Sequence, residues 1–206
     1  MKNKYENLYG DDILKEISCL PANKKFLLKM CKLIHQYEIG DIFNSRKLNK
    51  AIKRNPFFVK KLGSGVYSSV YLANDGYAYK FNIMSEYDDK WIDYAKVAMD
   101  KIHNPFFPKV YEIAEFKKTY AAKIELLTPL PKNQRPKDDF NTLSARISEG
   151  SSKKAIKELS KYSSFRKRDL KEWGESVNGI KGRYYDIHGA NIMLRGKEWV
   201  FSDPIV

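Results

Sequence analysis

Between Phe57 and Phe81 the chain has few options other than antiparallel strands. The runs FFVKKLG and VYSSVYLA are dense in aromatic and β-branched residues, which suit a pleated, half-buried surface. Gly63-Ser64-Gly65 separates them, and Asn74-Asp75-Gly76 joins VYLA to YAYKF. Asn, Asp and Gly tolerate the positive φ that tight primed turns require, so residues 57–81 predict three hairpin-linked strands. KVYEIAEF and YAAKIELL, closed by Thr128-Pro129, read as a second strand pair. Between the two groups, residues 87–102 suit one amphipathic helix, with Trp91, Ala95, Ala98, Met99 and Ile102 inward and Asn104-Pro105 as its stop. The expectation is α+β: a five-stranded antiparallel sheet with one helix.

Helical patterns flank this sheet. Residues 11–20 read as a short helix with Pro21 beyond its end. Asn23 is placed to cap a second, whose apolar face is Phe26, Leu27, Met30, Cys31, Leu33, Ile34 and Tyr37. Asp41 is placed to cap a third, ending before Pro56. NQRPKDD is a polar linker, and residues 140–178 are mostly helical in pattern. Residues 192–195 and 198–202 read as a hairpin around Arg195-Gly196-Lys197. The expected organisation is a helical extension over 1–55, a sheet-rich lobe over 56–130 and a helical lobe over 131–206.

Composition narrows the functional classes. No apolar run approaches the ~18–20 residues of a membrane helix, and the polar N-terminus lacks a signal-peptide core. Cys19 and Cys31 have the spacing of neither a zinc site nor a disulfide framework, so buried free thiols are expected. A cytoplasmic protein follows. The net charge of +13 favours acidic partners, yet 30 of the 38 basic residues are Lys, whereas base and phosphate readout favours Arg. Nucleic acid is a possible partner without a motif to support it. The basic run from Lys153 to Lys171 reads as a solvated helix face or a docking surface. His35, alone on its helix, reads as structural.

Two separate stretches carry chemistry. In Tyr185-Asp186-Ile187-His188-Gly189-Ala190-Asn191-Ile192-Met193, an Asp is followed five residues later by an Asn, and Asp203 follows a strand-like run. This is phosphoryl-transfer spacing: Asp186 to accept a hydroxyl proton, Asn191 and Asp203 as hard oxygen ligands for Mg²⁺. More than a hundred residues upstream, Gly63, Ser64, Gly65, Ser68 and Val70 form G-x-G-x-x-S-x-V on a strand–turn–strand. A dinucleotide fingerprint would need a following helix; here strand continues, as in a loop that covers ATP phosphates. Ala78-Tyr79-Lys80 then fits the A-x-K strand whose Lys reaches the α/β-phosphates. Asp93 is the chosen acidic partner of Lys80. Glu125 and Leu127 end the fifth strand where backbone would meet adenine, and Val70, Ala78 and Met193 would sandwich the base. His188 would contact the transferred phosphoryl or Asp186. A metal site of His188, Asp186 and Asp203 is the competing reading of the later stretch.

These residues resemble the protein-kinase superfamily in a divergent form. Within it they are most similar to the early serine/threonine kinases of autographivirus-type bacteriophages. DIHGANIM followed by a terminal SDP, LGSGVYSSVY with a short hairpin to the Lys, and L-P-x-x-x-K before an apolar helix carry the likeness. The resemblance implies a minimal two-lobed fold, ATP and Mg²⁺ as cofactors, and phosphorylation of host proteins on Ser or Thr in the bacterial cytoplasm. Tyr184-Tyr185 replaces the usual His-Arg before the catalytic Asp, and no A-P-E segment follows Asp203. A reduced substrate lobe is therefore expected, with peptide selection by the helical extension or the basic face. Two alternatives stay open: a non-catalytic kinase-like binder that inhibits a host factor, and a small-molecule kinase.

Overall fold

A computed structural model describes residues 23–38, 52, 55–65, 68–82, 89–131 and 166–205. The expected helices over 11–20 and 41–55, the linker, most of the basic run, Cys19, Val66 and Tyr67 lie outside the described residues, Ile52 and Asn55 excepted. The chain falls into two compact units. One is drawn from Met1–Asp88 and Tyr111–Leu126, the other from Asp89–Val110 and Leu127–Val206. Among the described residues no helix is long and apolar enough to cross a membrane.

The first unit holds helix α1 (Lys24–Glu38) and strands β1 (Phe58–Ser64), β2 (Ser68–Ala73), β3 (Ala78–Asn82), β4 (Val110–Phe116) and β5 (Thr119–Ile124). The strands form the expected five-stranded antiparallel sheet, in the order β1-β2-β3-β5-β4. Asn23 Oδ1 accepts the N–H groups of Lys25 and Phe26, supplying the expected cap of α1. Its apolar stripe packs on one sheet face. Phe26, Leu27, Met30, Cys31 and Ile34 are buried with Phe58, Tyr71, Tyr79, Phe81 and Ala121. The rings of Phe26, Phe57, Phe58 and Tyr79 meet edge-on or tilted at 5.1–6.3 Å between centroids. Cys31 donates to the Ala114 carbonyl, and burial pushes its thiol up to about 12, which makes it an inert core residue. His35 lies half-buried with its ring against Phe116.

The β2–β3 turn departs from the primed geometry expected of Asn74-Asp75-Gly76. Only Gly76 takes a positive φ, +82°. Gly76 N–H reaches the Ala73 carbonyl, and Ala73 N–H reaches Tyr77. An ordinary turn followed by one left-handed glycine replaces the mirror-image turn. Asp75 explains the choice: its carboxylate accepts from Tyr77 N–H, Tyr79 Oη and Lys123 Nζ.

The second unit holds α2 (Trp91–Asp100), β6 (Thr128–Pro129), α3 (Lys167–Asn178), β7 (Ile192–Arg195) and β8 (Glu198–Phe201). Helix α2 is shorter than its pattern predicts, and its inward face matches the expectation at Trp91, Ala95 and Ala98 but not at Met99 or Ile102. Trp91, Tyr94, Ala95 and Ala98 are buried, whereas Met99 and Ile102 are 40% and 57% exposed. The 91/94/95/98 spacing is the tighter helical stripe, and Ile102 lies past the helix end. The expected hairpin is present as β7 and β8, turned by Gly196 at φ +63°. Thr128 and Pro129, expected only to close the sheet, form β6 and pair with Leu194 and Met193. Trp173 anchors the core of this unit, 4.4 Å from Phe201 and 6.4 Å from Phe107 between ring centroids.

Candidate functional site

Within the first unit, register decides which side chains share a face. Gly63 lies opposite Val70, Val70 opposite Lys80, and Lys80 opposite Ala122. Directly paired residues point to the same side of a sheet, so these four lie in one row. Leu72, Ala78 and Ile124 form the next row on that side. Tyr71, Tyr79 and Phe81 occupy the other side, against α1. The expected phosphate Lys and two of the three expected adenine contacts thus share the face that α1 leaves alone. Lys80 is only 4% exposed and Ala78 3%.

The glycine turn completes this face. Gly65 N–H reaches the Ser68 carbonyl at 3.0 Å, closing the turn between β1 and β2. Ser64 is exposed and Ser68 buried. Among the described residues no atom lies within 4 Å of a Cβ added at Gly63 or Gly65, and neither glycine has a positive φ. That leaves room for a ligand close to the backbone there. Beyond β5, Glu125 is half-buried, Leu126 exposed and Leu127 buried. The chain passes from the first unit to the second between Leu126 and Leu127, at the expected adenine-contact segment.

In the second unit the expected catalytic residues come together. Asn191 Nδ2 donates to the Asp186 carbonyl at 2.7 Å and to Asp186 Oδ2 at 2.9 Å. That leaves Asn191 Oδ1 as the acceptor end of the side chain. Asp186 N–H donates to the Pro204 carbonyl at 2.7 Å, and Tyr185 forms an antiparallel bridge with Ile205. These two links set Asp203, one residue before Pro204, beside the Asp186 loop. Ile187, in the same loop, is fully buried. His188 Nδ1 accepts from Ala190 N–H at 3.1 Å, which places the ring proton on Nε2, 3.7 Å from Asp186 Oδ2. Met193, on β7, is partly buried.

The strand leading to Asp203 is held at both of its last carbonyls. Tyr94 Oη donates to Phe201 O at 2.6 Å, and Trp91 Nε1 donates to Ser202 O at 2.9 Å. Complete burial pushes the Tyr94 phenol well up; the Trp173 N–H opposes this and the Asp203 charge adds to it. Tyr94 therefore stays a neutral donor. Ser202 in turn donates its N–H and Oγ to the Asn191 carbonyl, tying the two expected metal ligands into one frame.

Sequence reasoning missed the brace behind Asp186. Tyr185 Oη and an Arg183 nitrogen both donate to Asn178 Oδ1, at the end of α3. The Arg183 guanidinium also reaches the Ile180 carbonyl and lies over the Tyr185 ring. The Tyr-Tyr pair before Asp186 marked the spot, but nothing in the spacing pointed to Asn178. Asp93, the expected partner of Lys80, sits in the first turn of α2 and belongs to the second unit. A carboxylate there also suits the helix dipole.

Among the described residues no three His, Cys, Asp or Glu side chains are grouped to hold a metal. Asn191 Oδ1 and the Asp203 carboxylate, one amide oxygen and one carboxylate, suit an ion that keeps phosphate and water oxygens as its other ligands. No protein-family model matches the chain, and no characterised protein matches it in sequence.

Proposed function

We propose that the chain is a divergent, two-lobed protein kinase that transfers the γ-phosphate of ATP to Ser or Thr hydroxyls. The observation that carries this reading is the Asp186–Asn191 pair, locked to the segment that bears Asp203. The buried Lys80, in register with Val70 and Gly63, supports it independently.

Each residue then has a role. Asp186 uses the carboxylate oxygen not bonded to Asn191 to orient the substrate hydroxyl and take its proton. The hydroxyl oxygen forms the new bond to the γ-phosphorus as the bond to the β–γ bridging oxygen breaks, and ADP leaves. Lys80 holds the α- and β-phosphates, and the unsubstituted Gly63 and Gly65 let the backbone come close to them. His188, with its proton on Nε2, donates to the transferred group. Asn191 Oδ1 and Asp203 would hold Mg²⁺, which when bound neutralises phosphate charge. The likeness to the phage kinases makes host proteins the substrates and the bacterial cytoplasm the compartment.

The test is label transfer from radiolabelled ATP to proteins of a bacterial lysate, with Asp186→Asn alongside. Wild type should label Ser and Thr. The variant should lose roughly 10²–10⁴ in rate, the usual worth of a positioned base, while still binding ATP. Equal absence of labelling by both, with retained capture of a host protein, would replace catalysis by inhibition through docking.

A further inference from the structure

The chain is extended where it enters the loop of Asp186. Tyr185 bridges Ile205 in antiparallel fashion, and Asp186 N–H donates to the Pro204 carbonyl at 2.7 Å. Successive side chains of an extended chain leave opposite sides, so Tyr184 and Asp186 share one side and Tyr185 and Ile187 the other. Burial follows that alternation. Ile187 is fully buried, and Tyr185 bonds to Asn178 with its ring near Trp173. Tyr184 is 76% exposed, and the Asp186 side chain is 31% exposed. We propose, on the basis of the kinase reading, that Tyr184 selects the protein substrate: its ring receives an apolar side chain two residues from the acceptor Ser or Thr.

Spacing, mounting and charge argue for this contact. Alternate residues of a strand are about 6.6 Å apart, which is also the step between alternate residues of an extended substrate. A polypeptide lying along this strand with its hydroxyl at Asp186 therefore sets a side chain two positions away over Tyr184. The backbone that bears Tyr184 is fixed by its neighbour, since Tyr185 is held at its hydroxyl, its ring and its bridge to Ile205. A tyrosine so mounted offers a broad contact at little entropic cost. No other large hydrophobic side chain among the described residues is as exposed. Aromatic rings also take cations, but the charges flanking this one oppose that. Lys181 is exposed, the Arg183 guanidinium lies over the Tyr185 ring, and Lys90 Cε comes within 3.4 Å of where a Cβ on Gly182 would stand. A carboxylate would meet the negative face of the ring and stand on the same side as Asp186. An uncharged Leu, Ile, Met or Phe side chain meets neither repulsion.

The test maps, by mass spectrometry, the sites phosphorylated in a bacterial lysate by wild type, Tyr184→Phe, Tyr184→Ala and Tyr184→Glu. Wild type and Tyr184→Phe should show an excess of Leu, Ile, Met or Phe two residues before or after the acceptor. The excess over the lysate background should be about three- to fivefold, short of the roughly tenfold that a closed pocket gives. It should vanish in Tyr184→Ala, and in Tyr184→Glu an excess of Lys or Arg at the same position should replace it. The residue pattern is read and not the total label, so a general loss of rate does not imitate the effect. Phosphorylated sites in wild type without the excess, or an excess that survives Tyr184→Ala, overturn the proposal and leave the kinase reading standing. So does loss of all transfer in Tyr184→Ala with an unchanged thermal melt. Absence of any phosphorylated site with wild type overturns the kinase reading, and the role of Tyr184 with it.

Discussion

The side-chain amide of Asn191 grips Asp186 twice, at its main-chain carbonyl and at its carboxylate. One side chain thereby fixes both the curvature of the loop and the rotamer of the proposed base. Asn191→Ala frees the Asp186 carboxylate to rotate and removes a bond to a charged group. We expect a loss of about 1.5–3 kcal/mol in urea unfolding. Label transfer should fall and need more Mg²⁺ to saturate, read from initial rates over a magnesium series.

Tyr185→Phe removes one hydroxyl and nothing else from the brace on Asn178. Burial holds the Tyr185 phenol above its ordinary range, with Arg183 opposing, so the lost group is a neutral donor. Stability should drop by about 0.5–1.5 kcal/mol, the worth of one hydrogen bond. The maximal rate should fall while the apparent affinity for ATP holds, because Lys80 and the glycine turn are untouched. Steady-state kinetics in ATP separates the two.

Lys80→Met keeps an unbranched chain of similar length on a buried strand position and deletes the ammonium. Folding should survive, shown by an unaltered circular dichroism spectrum. Nucleotide binding by calorimetry should weaken, and label transfer should fall below detection. Retained transfer would remove Lys80 from the site.

Acid should loosen the second unit through Glu172. The hydrogen bond from Lys101 chiefly lowers its carboxyl to about 2, with burial opposing and Asn104 and His103 adding to the fall. The folded value lies below the ordinary 4.5, so the ionised side chain stabilises the fold fully above that pH. The contribution fades as pH drops from about 5 towards 2. Glu172→Gln should lower the melting temperature at neutral pH and flatten its decline in that window. Parallel melts of the two proteins between neutral and acid buffers check both effects.

Aromatic and β-branched runs separated by glycine-bearing turns made the sheet legible, because strands with one face against α1 must bury residues such as Tyr71, Tyr79 and Phe81. The capping role of Asn23 was equally legible, since a cap is a local bond. Helix α2 was read with the right register at Trp91, Ala95 and Ala98 but without Tyr94, whose hydroxyl is satisfied by the Phe201 carbonyl and the Trp173 N–H, 107 and 79 residues away. The hairpin at Asn74-Asp75-Gly76 was legible and its turn type was not, because Asp75 spends its carboxylate on Tyr79 and Lys123, partners outside the turn. Asp186, His188 and Asn191 stood out because a loop keeps its residues close in sequence. Asn178, Arg183 and Tyr185 converge only after α3 packs, and no spacing rule reports that.

Trp91 and Tyr94 grip the two carbonyls just before Asp203, and both side chains belong to a single helical turn. Helix α2 is thus a handle on the carboxylate. Rotating or sliding it would drag the end of β8 along, and with it the distance from Asp203 to Asn191. Anything that grasps the exposed Met99 side of this helix gains leverage over Asp203 without entering the proposed site. The chain would then need no mobile loop to be switched.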